Sequence, residues 1–313
     1  MIRTSIKKLF KFQIFLFLTL VVFKPTIAIA STTKLINEQL TTLSNKYGGQ
    51  LGIYAINTEN NDTVSYNSNH NFPMCSTIKV MGVGAILKKS INDPLLLKQT
   101  IVYNSEIVNK SGYSPITRKH VGKGMTVKSL CAAAISYTDN TAINLLMESL
   151  GGPESVTKFA KSIGDNKFNL VRWEPQLNTA IPGDLRDTTT PEAMSISLKK
   201  LILGKTLPSY QADLLTKWLV NNTTGDARIR AGIPNNWTVG DKTGTCGNYG
   251  TTNDIAVIWP TNCKPIFLSI YYTQSKKDAV PNNKIIKEAT MSIINFLASN
   301  DKCLSSNLKH YPL

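Results

Sequence analysis

Apolar positions along the chain fall first into a helical and then into an alternating pattern. Ile36, Leu40, Leu43 and Tyr47 recur at helical spacing within Thr32 to Tyr47, and Gly48-Gly49 closes that element. Leu51 to Ile56 and Thr63 to Tyr66 read as two strands around the turn-forming stretch Asn57 to Asp62, which together make a hairpin. Ser76 to Ser90 reads as a helix that stops at Asn92-Asp93-Pro94, and short helices continue to about Val220. Among them, Asp165 to Pro191 has no period and carries Pro175, Pro182 and Gly183. That is a long surface loop, and loops of such length are usually functional. Strand patterns return at Trp237 to Thr245, Asp254 to Trp259 and Ile266 to Thr273, and Ile286, Ala289, Ile293 and Leu297 mark a closing helix.

Strands at both ends of the chain, around a helical insertion, predict an α/β protein whose termini share one sheet. The expected organisation is an α/β lobe from 31–72 and 221–313, an all-α lobe from 73–220 that includes the loop 165–191, and a site in the cleft between them. Residues 1–30 stand apart. Arg3, Lys7, Lys8 and Lys11 precede about a dozen mostly apolar residues, Phe12 to Phe23, and Ala28-Ile29-Ala30 supplies a small-x-small cleavage pattern. The apolar run falls short of the roughly twenty residues of a membrane span, and Lys24 and Pro25 interrupt it. The segment is read as a signal peptide, with Ser31 first in the mature protein and no stable membrane anchor.

The sequence of 313 residues has 35 Lys and Arg against 20 Asp and Glu, a net charge of +15, with five of the basic residues in the leader. The basic residues are scattered, without an aromatic and arginine cluster or zinc-finger spacing, so nucleic-acid binding is not expected. His70, His120 and His310 are far apart, and none of Cys75, Cys131, Cys246, Cys263 and Cys303 has metal-ligand spacing. Neither a zinc hydrolase nor a Ser-His-Asp triad is supported, and no metal or cofactor is expected. Export permits disulfides, and five cysteines leave at least one unpaired.

Ser76 and Lys79 are three apart at a helix start, so the hydroxyl and the amine share a face. Free backbone N–H groups at that end can donate to an oxyanion, and a lysine of lowered pKa can withdraw the serine proton. Ser-x-x-Lys also occurs at six other places, so the spacing alone is a weak signal. Thr138-Asp139-Asn140 follows the apolar run Leu130 to Ile135, where Asp139 or Asn140 alternatively caps the next helix. Lys242-Thr243-Gly244 lies on a predicted strand, where Lys242 and Thr243 can grip a carboxylate and the glycine lets a substrate approach the backbone. Lys110-Ser111-Gly112 matches the same pattern but precedes Thr138 in a loop, and is read as chance.

Taken together and in this order, the three motifs resemble those of the penicillin-recognising serine enzymes. Arg172-Trp173-Glu174-Pro175-x-Leu177-Asn178 narrows the resemblance to the class A β-lactamases, over nearly all of the mature chain. It implies a five-stranded antiparallel sheet flanked by helices, and β-lactam hydrolysis. Ser76 resembles the nucleophile and Lys79 its proton partner, while Glu174 resembles the base that activates the deacylating water, shared with Asn178; whether Lys79 or Glu174 is the base in acylation stays open. The N–H groups of Ser76 and Thr245 would form the oxyanion hole, and Thr138 would pass a proton to the departing ring nitrogen. Asn140, Lys242, Thr243 and Thr245 would bind substrate, with Arg228 at its carboxylate and Tyr113 at the cleft mouth. Arg172 and Asp187 resemble the pair that pins the loop. The family usually has serine where this chain has Thr138, whose extra methyl restricts χ1.

Cys75 and Cys246 flank two of the motifs, and a disulfide between them is expected. With Thr245 and Arg228 the pair resembles the carbapenem-hydrolysing subgroup. A second bridge, Cys263 to Cys303, is expected where the turn Pro260 to Pro265 meets the end of the closing helix, with Cys131 a buried free thiol. A D-Ala-D-Ala transpeptidase or carboxypeptidase and a non-turnover β-lactam sensor are the rival readings, and Glu174 with Asn178 argues against both. The expected partners are small β-lactams, and the protein is expected to be a secreted monomer, periplasmic in a Gram-negative host.

Overall fold

The computed structural model describes residues 26–310, and side chains from Lys34 to Lys309. The body of the expected signal peptide, residues 1–25, lies outside the described residues. Helix α1 (Thr26–Tyr47) starts at Thr26 rather than at Thr32. Nothing from Thr26 to Ser31 breaks a helix. Among the described residues no helix is long and apolar enough to cross a membrane.

The hairpin β1 (Gln50–Asn57) and β2 (Thr63–Tyr66) forms as its pattern predicts. After it come the two-residue strand β3 (Phe72–Pro73), a 3₁₀ turn at Cys75–Thr77, and α2 (Ile78–Lys89). Strand β4 (Thr100–Ile101), α3 (Ser105–Ser111), β5 (Met125–Thr126), α4 (Val127–Ser136), α5 (Asn140–Leu150) and α6 (Pro153–Ser162) follow. Beyond the long loop and β6 (Thr188–Thr189) lie α7 (Pro191–Ile202) and α8 (Ser209–Val220). The chain closes with β7 (Thr238–Cys246), β8 (Thr251–Trp259), β9 (Ile266–Thr273), α9 (Asn283–Ser299) and α10 (Lys302–His310).

One antiparallel sheet of five strands, in the order β2-β1-β9-β8-β7, joins the two ends of the chain. Both its faces are covered, and alternation along the strands sorts side chains between two cores. Ile255, Val257, Phe267 and Tyr271 face the helical segment, while Ala256, Ile258, Leu268 and Ile270 face α1, α9 and α10. The middle segment is helical except for the ribbons β3-β6 and β4-β5, which its short apolar runs do not announce. The first ribbon matters for the site: it ties the end of the long loop to the chain just before Ser76.

Candidate active site

Ser76 sits in the 3₁₀ turn that leads into α2, and its neighbour Cys75 has φ of 49°, a left-handed value that side-chain-bearing residues rarely adopt. Surrounding bonds hold the turn in place. Met74 N–H donates to the Asp187 carbonyl at 2.9 Å, and Asn253 Nδ2 donates to the carbonyls of Pro73 and Met74 at 2.8 and 3.2 Å. Strand β7 lies directly against the turn, because a Cβ at Gly244 would come within 2.7 Å of the Met74 carbonyl oxygen. The glycine of Lys242-Thr243-Gly244 is thus required by packing of the protein's own backbone, rather than by the approach of a substrate alone.

Lys79 lies one turn along the same face and is fully buried. Its Nζ is 2.6 Å from Ser76 Oγ, 2.7 Å from Glu174 Oε1, 2.8 Å from Asn140 Oδ1 and 3.4 Å from Thr138 Oγ1. Four oxygens around a group with three protons leave room for the serine hydroxyl to donate to a neutral amine. Burial lowers the pKa of Lys79, and the charge of Glu174, followed by that of Asp139, opposes the shift.

Glu174 is almost wholly buried in the long loop. Its Oε1 faces Lys79 and lies 3.4 Å from Ser76 Oγ, and its Oε2 accepts a short hydrogen bond from Asn178 Nδ2. Arg172 Nε donates to Asp187 Oδ2 across the two ends of the loop, and Asp187 Oδ1 accepts from the N–H groups of Val171 and Arg172. Sequence reasoning missed Asn144. Its Oδ1 accepts from Glu174 N–H at 3.1 Å and its Nδ2 donates to the Glu174 carbonyl at 2.9 Å, so both sides of that peptide are clamped. The available signal was its place four residues after Asn140, one turn along the same helix face.

Thr138 holds φ of 53°, and its Oγ1 accepts from Lys242 Nζ at 3.0 Å. Asp139 is structural: it caps α5 through Ala142 N–H and also accepts from the N–H groups of Ile116 and Thr117. Asn140 Nδ2 donates to the Ser111 carbonyl, so Lys110-Ser111-Gly112 supports the site without supplying chemistry to it. Lys242 is fully buried on the sheet's edge strand, and burial first, with the charge of Lys79 second, brings its pKa down to about 7. Thr243 Oγ1 is 2.6 Å from Thr224 Oγ1, a second contact the motifs do not reveal.

Arg228 does not reach freely into the cleft. Its guanidinium donates to the carbonyls of Gly244 and Asn253, to Asn283 Oδ1 and, at 2.6 Å, to Thr245 Oγ1, so it braces the residue that faces the cleft. Burial lowers its pKa. The cleft itself has a volume of about 440 Å³ and is lined by Ser76, Tyr113, Thr138, Asn140, Thr243 and Thr245, with Asn178 and Arg228 at its walls. Tyr113 is 60% exposed at the rim.

Cys75 and Cys246 form a disulfide that crosses from the Ser76 turn to the end of β7, and Cys263 pairs with Cys303. Cys131 is the buried free thiol, its pKa raised by burial.

Residues 35–297 match the β-lactamase enzyme family. β-Lactamase CTX-M-97 of Escherichia coli is 52% identical over 255 residues, covering 81% of this chain and 86% of that one. An imipenem-hydrolyzing β-lactamase of Enterobacter cloacae is 46% identical over 261 residues, covering 83% and 89%. A β-lactamase crystal structure from Desulfarculus baarsii superposes with a TM-score of 0.83 at 48% identity, covering 85% of this chain and 98% of that one. A buried lysine and glutamate converging on one serine, in a fold and sequence shared this widely, make the chain a member of the class A β-lactamases, enzymes that hydrolyse β-lactams.

Proposed function

We propose that this enzyme opens the β-lactam ring on Ser76 and releases the product with water activated by Glu174. Ser76 Oγ attacks the ring carbonyl and gives its proton to Lys79, whose own proton passes to Glu174; the 2.6 and 2.7 Å contacts along that route are the observation that carries this reading. The tetrahedral oxyanion is held by the N–H groups of Ser76 and Thr245; the ring nitrogen leaves with the Ser76 proton, passed on from Lys79 through Thr138, which Lys242 also contacts, and Glu174 returns its proton to Lys79 and is a carboxylate again. Glu174, oriented by Asn178, then removes a proton from the water that attacks the ester, and the Ser76 oxygen leaves reprotonated. Lys242, Thr243 and Thr245 bind the substrate carboxylate, with Arg228 bracing Thr245, while Asn140 and Tyr113 contact the rest of the ligand. The protein acts as an exported monomer, in keeping with two disulfides that need an oxidising compartment.

Carbapenems fall within the proposed substrate range, supported by the disulfide beside Ser76 and by the imipenem-hydrolyzing relative. Steady-state hydrolysis of a penicillin, a cephalosporin, a monobactam and a carbapenem by the mature protein tests both proposals. Turnover of imipenem no faster than the uncatalysed rate would remove carbapenems, and a Ser76→Ala protein that still hydrolysed penicillin would remove the nucleophile.

A further inference from the structure

A carboxylate only accepts hydrogen bonds, so a hydroxyl that is to bind one must present its proton. The resting hydrogen bonds of Thr243 point its proton elsewhere. Among the described residues the one partner of Thr243 Oγ1 is Thr224 Oγ1, at 2.6 Å. Thr224 Oγ1 also lies 2.9 Å from Asn222 Oδ1. The Asn222 amide is fixed at both ends: its Nδ2 donates to Asp241 Oδ2 at 2.6 Å, and its Oδ1 accepts at 3.2 Å from Thr224 N–H, a group that can only donate. An oxygen therefore faces the Thr224 hydroxyl, which spends its single proton on it. That leaves Thr224 Oγ1 an acceptor towards Thr243. The Thr243 proton points at Thr224, and a carboxylate arriving at Thr243 meets oxygen against oxygen.

We propose that Thr224 is a positioning residue that reverses this chain when an anionic substrate binds. Thr243 turns its O–H to the carboxylate, Thr224 turns its own from Asn222 to Thr243, and the order becomes Thr224 to Thr243 to substrate. Both changes are rotations about C–O bonds, and no proton leaves its oxygen. Asn222 Oδ1 keeps the Thr224 N–H, so reversal leaves no buried acceptor unpaired. One proton lies between the two hydroxyls in either order, and a hydroxyl that accepts donates more strongly, so Thr224 strengthens the grip of Thr243 on an anion. Thr224 lines the cleft beside Thr243, whereas Lys242 donates to Thr138 Oγ1 and to the Thr243 carbonyl rather than to the Thr243 hydroxyl. The step rests on the proposed reading of Thr243 as a substrate-carboxylate contact.

Neutron diffraction from crystals exchanged into heavy water reads both hydroxyls. In the free enzyme the Thr243 deuteron is expected on the line to Thr224 and the Thr224 deuteron on the line to Asn222; a Thr243 deuteron aimed into the cleft overturns the proposal. In Glu174→Ala acylated by a penicillin, the Thr243 deuteron is expected to face the penicillin carboxylate and that of Thr224 to face Thr243. A carboxylate bound at Thr243 with the Thr224 deuteron still on Asn222 refutes the reversal and leaves the carboxylate reading intact, whereas a carboxylate bound away from Thr243 refutes that reading and the reversal with it. In kinetics, Thr224→Val is expected to raise KM for an anionic penicillin by about three- to tenfold at nearly unchanged kcat, and Thr224→Ser to restore it, while the methyl ester of the same penicillin is indifferent to both. An equal change for acid and ester, or none for either, overturns the assignment.

Discussion

Asn178 Oδ1 lies 3.6 Å from Cys246 Sγ, so the Cys75–Cys246 disulfide touches the residue that orients Glu174. The bridge therefore borders both halves of the proposed reaction, the Ser76 turn through Cys75 and the Glu174 carboxylate through Asn178. Cys246→Ser is expected to cost about 2 to 5 kcal/mol of stability, the usual range for loss of a native bridge. If its role extends to the site, carbapenem turnover falls further than penicillin turnover at a temperature where both proteins are folded. Equal losses, in proportion to folded protein, would make the bridge structural alone.

Glu174→Ala is expected to leave Ser76 open to acylation while slowing release by roughly 10²- to 10⁴-fold, the contribution of a positioned general base. Intact-mass measurement after mixing with a penicillin shows the persistent adduct. A variant that turns over at the wild-type rate removes Glu174 from the mechanism. Loss of the carboxylate also leaves the buried Lys79 without its ion-pair partner, so a drop in thermal stability accompanies the kinetic defect.

Lys242 supplies a pH dependence. Its pKa is lowered to about 7 by burial and by Lys79, so its positive charge is present below that value and is lost as pH rises through it. For an anionic penicillin, kcat/KM, which reads the free enzyme, is expected to fall above about pH 7. A bound carboxylate favours the charged amine, so kcat holds to higher pH. Stability moves the other way, because the unfolded chain binds the extra proton between about 7 and the ordinary lysine range, and the fold gains stability over that window. A kcat/KM that stays flat across the interval would show that the charge of Lys242 is not used.

Asn144 clamps the Glu174 peptide from both sides. Asn144→Ala leaves a buried N–H and carbonyl unpaired, at about 1 to 3 kcal/mol for such groups, and loosens the general base. Pre-steady-state kinetics should show deacylation slowed more than acylation. Equal slowing of the two steps would point to general disorder of the cleft.

Thiol counting checks the cysteine assignment. One free thiol, Cys131, should appear under denaturing, non-reducing conditions, and none should react in the folded protein, where Cys131 is fully buried. Three free thiols after denaturation would mean that one of the two bridges is absent in solution.

The sequence by itself determined the architecture and pointed to the groups proposed to react. Strand patterns at Asp254 to Trp259 and Ile266 to Thr273 marked two strands of the sheet, and the helical spacing of Ile286, Ala289, Ile293 and Leu297 marked the closing helix that packs on it. The spacing of Ser76 and Lys79 carried their contact, because one helix turn fixes it locally. Residues remote in sequence were legible only through recurring motifs, as with Glu174 and Lys242, since periodicity says nothing about which loop meets which strand. Tertiary structure alone decided the rest. It tied Arg228 to Thr245, because the cleft wall offers its guanidinium two carbonyls and two side-chain oxygens. It also set Asn144 against Glu174 and Asn178 against Cys246. Such pairings depend on how the helical lobe docks on the sheet, and burial then settles their charge states, so they arise only when distant segments exclude water together.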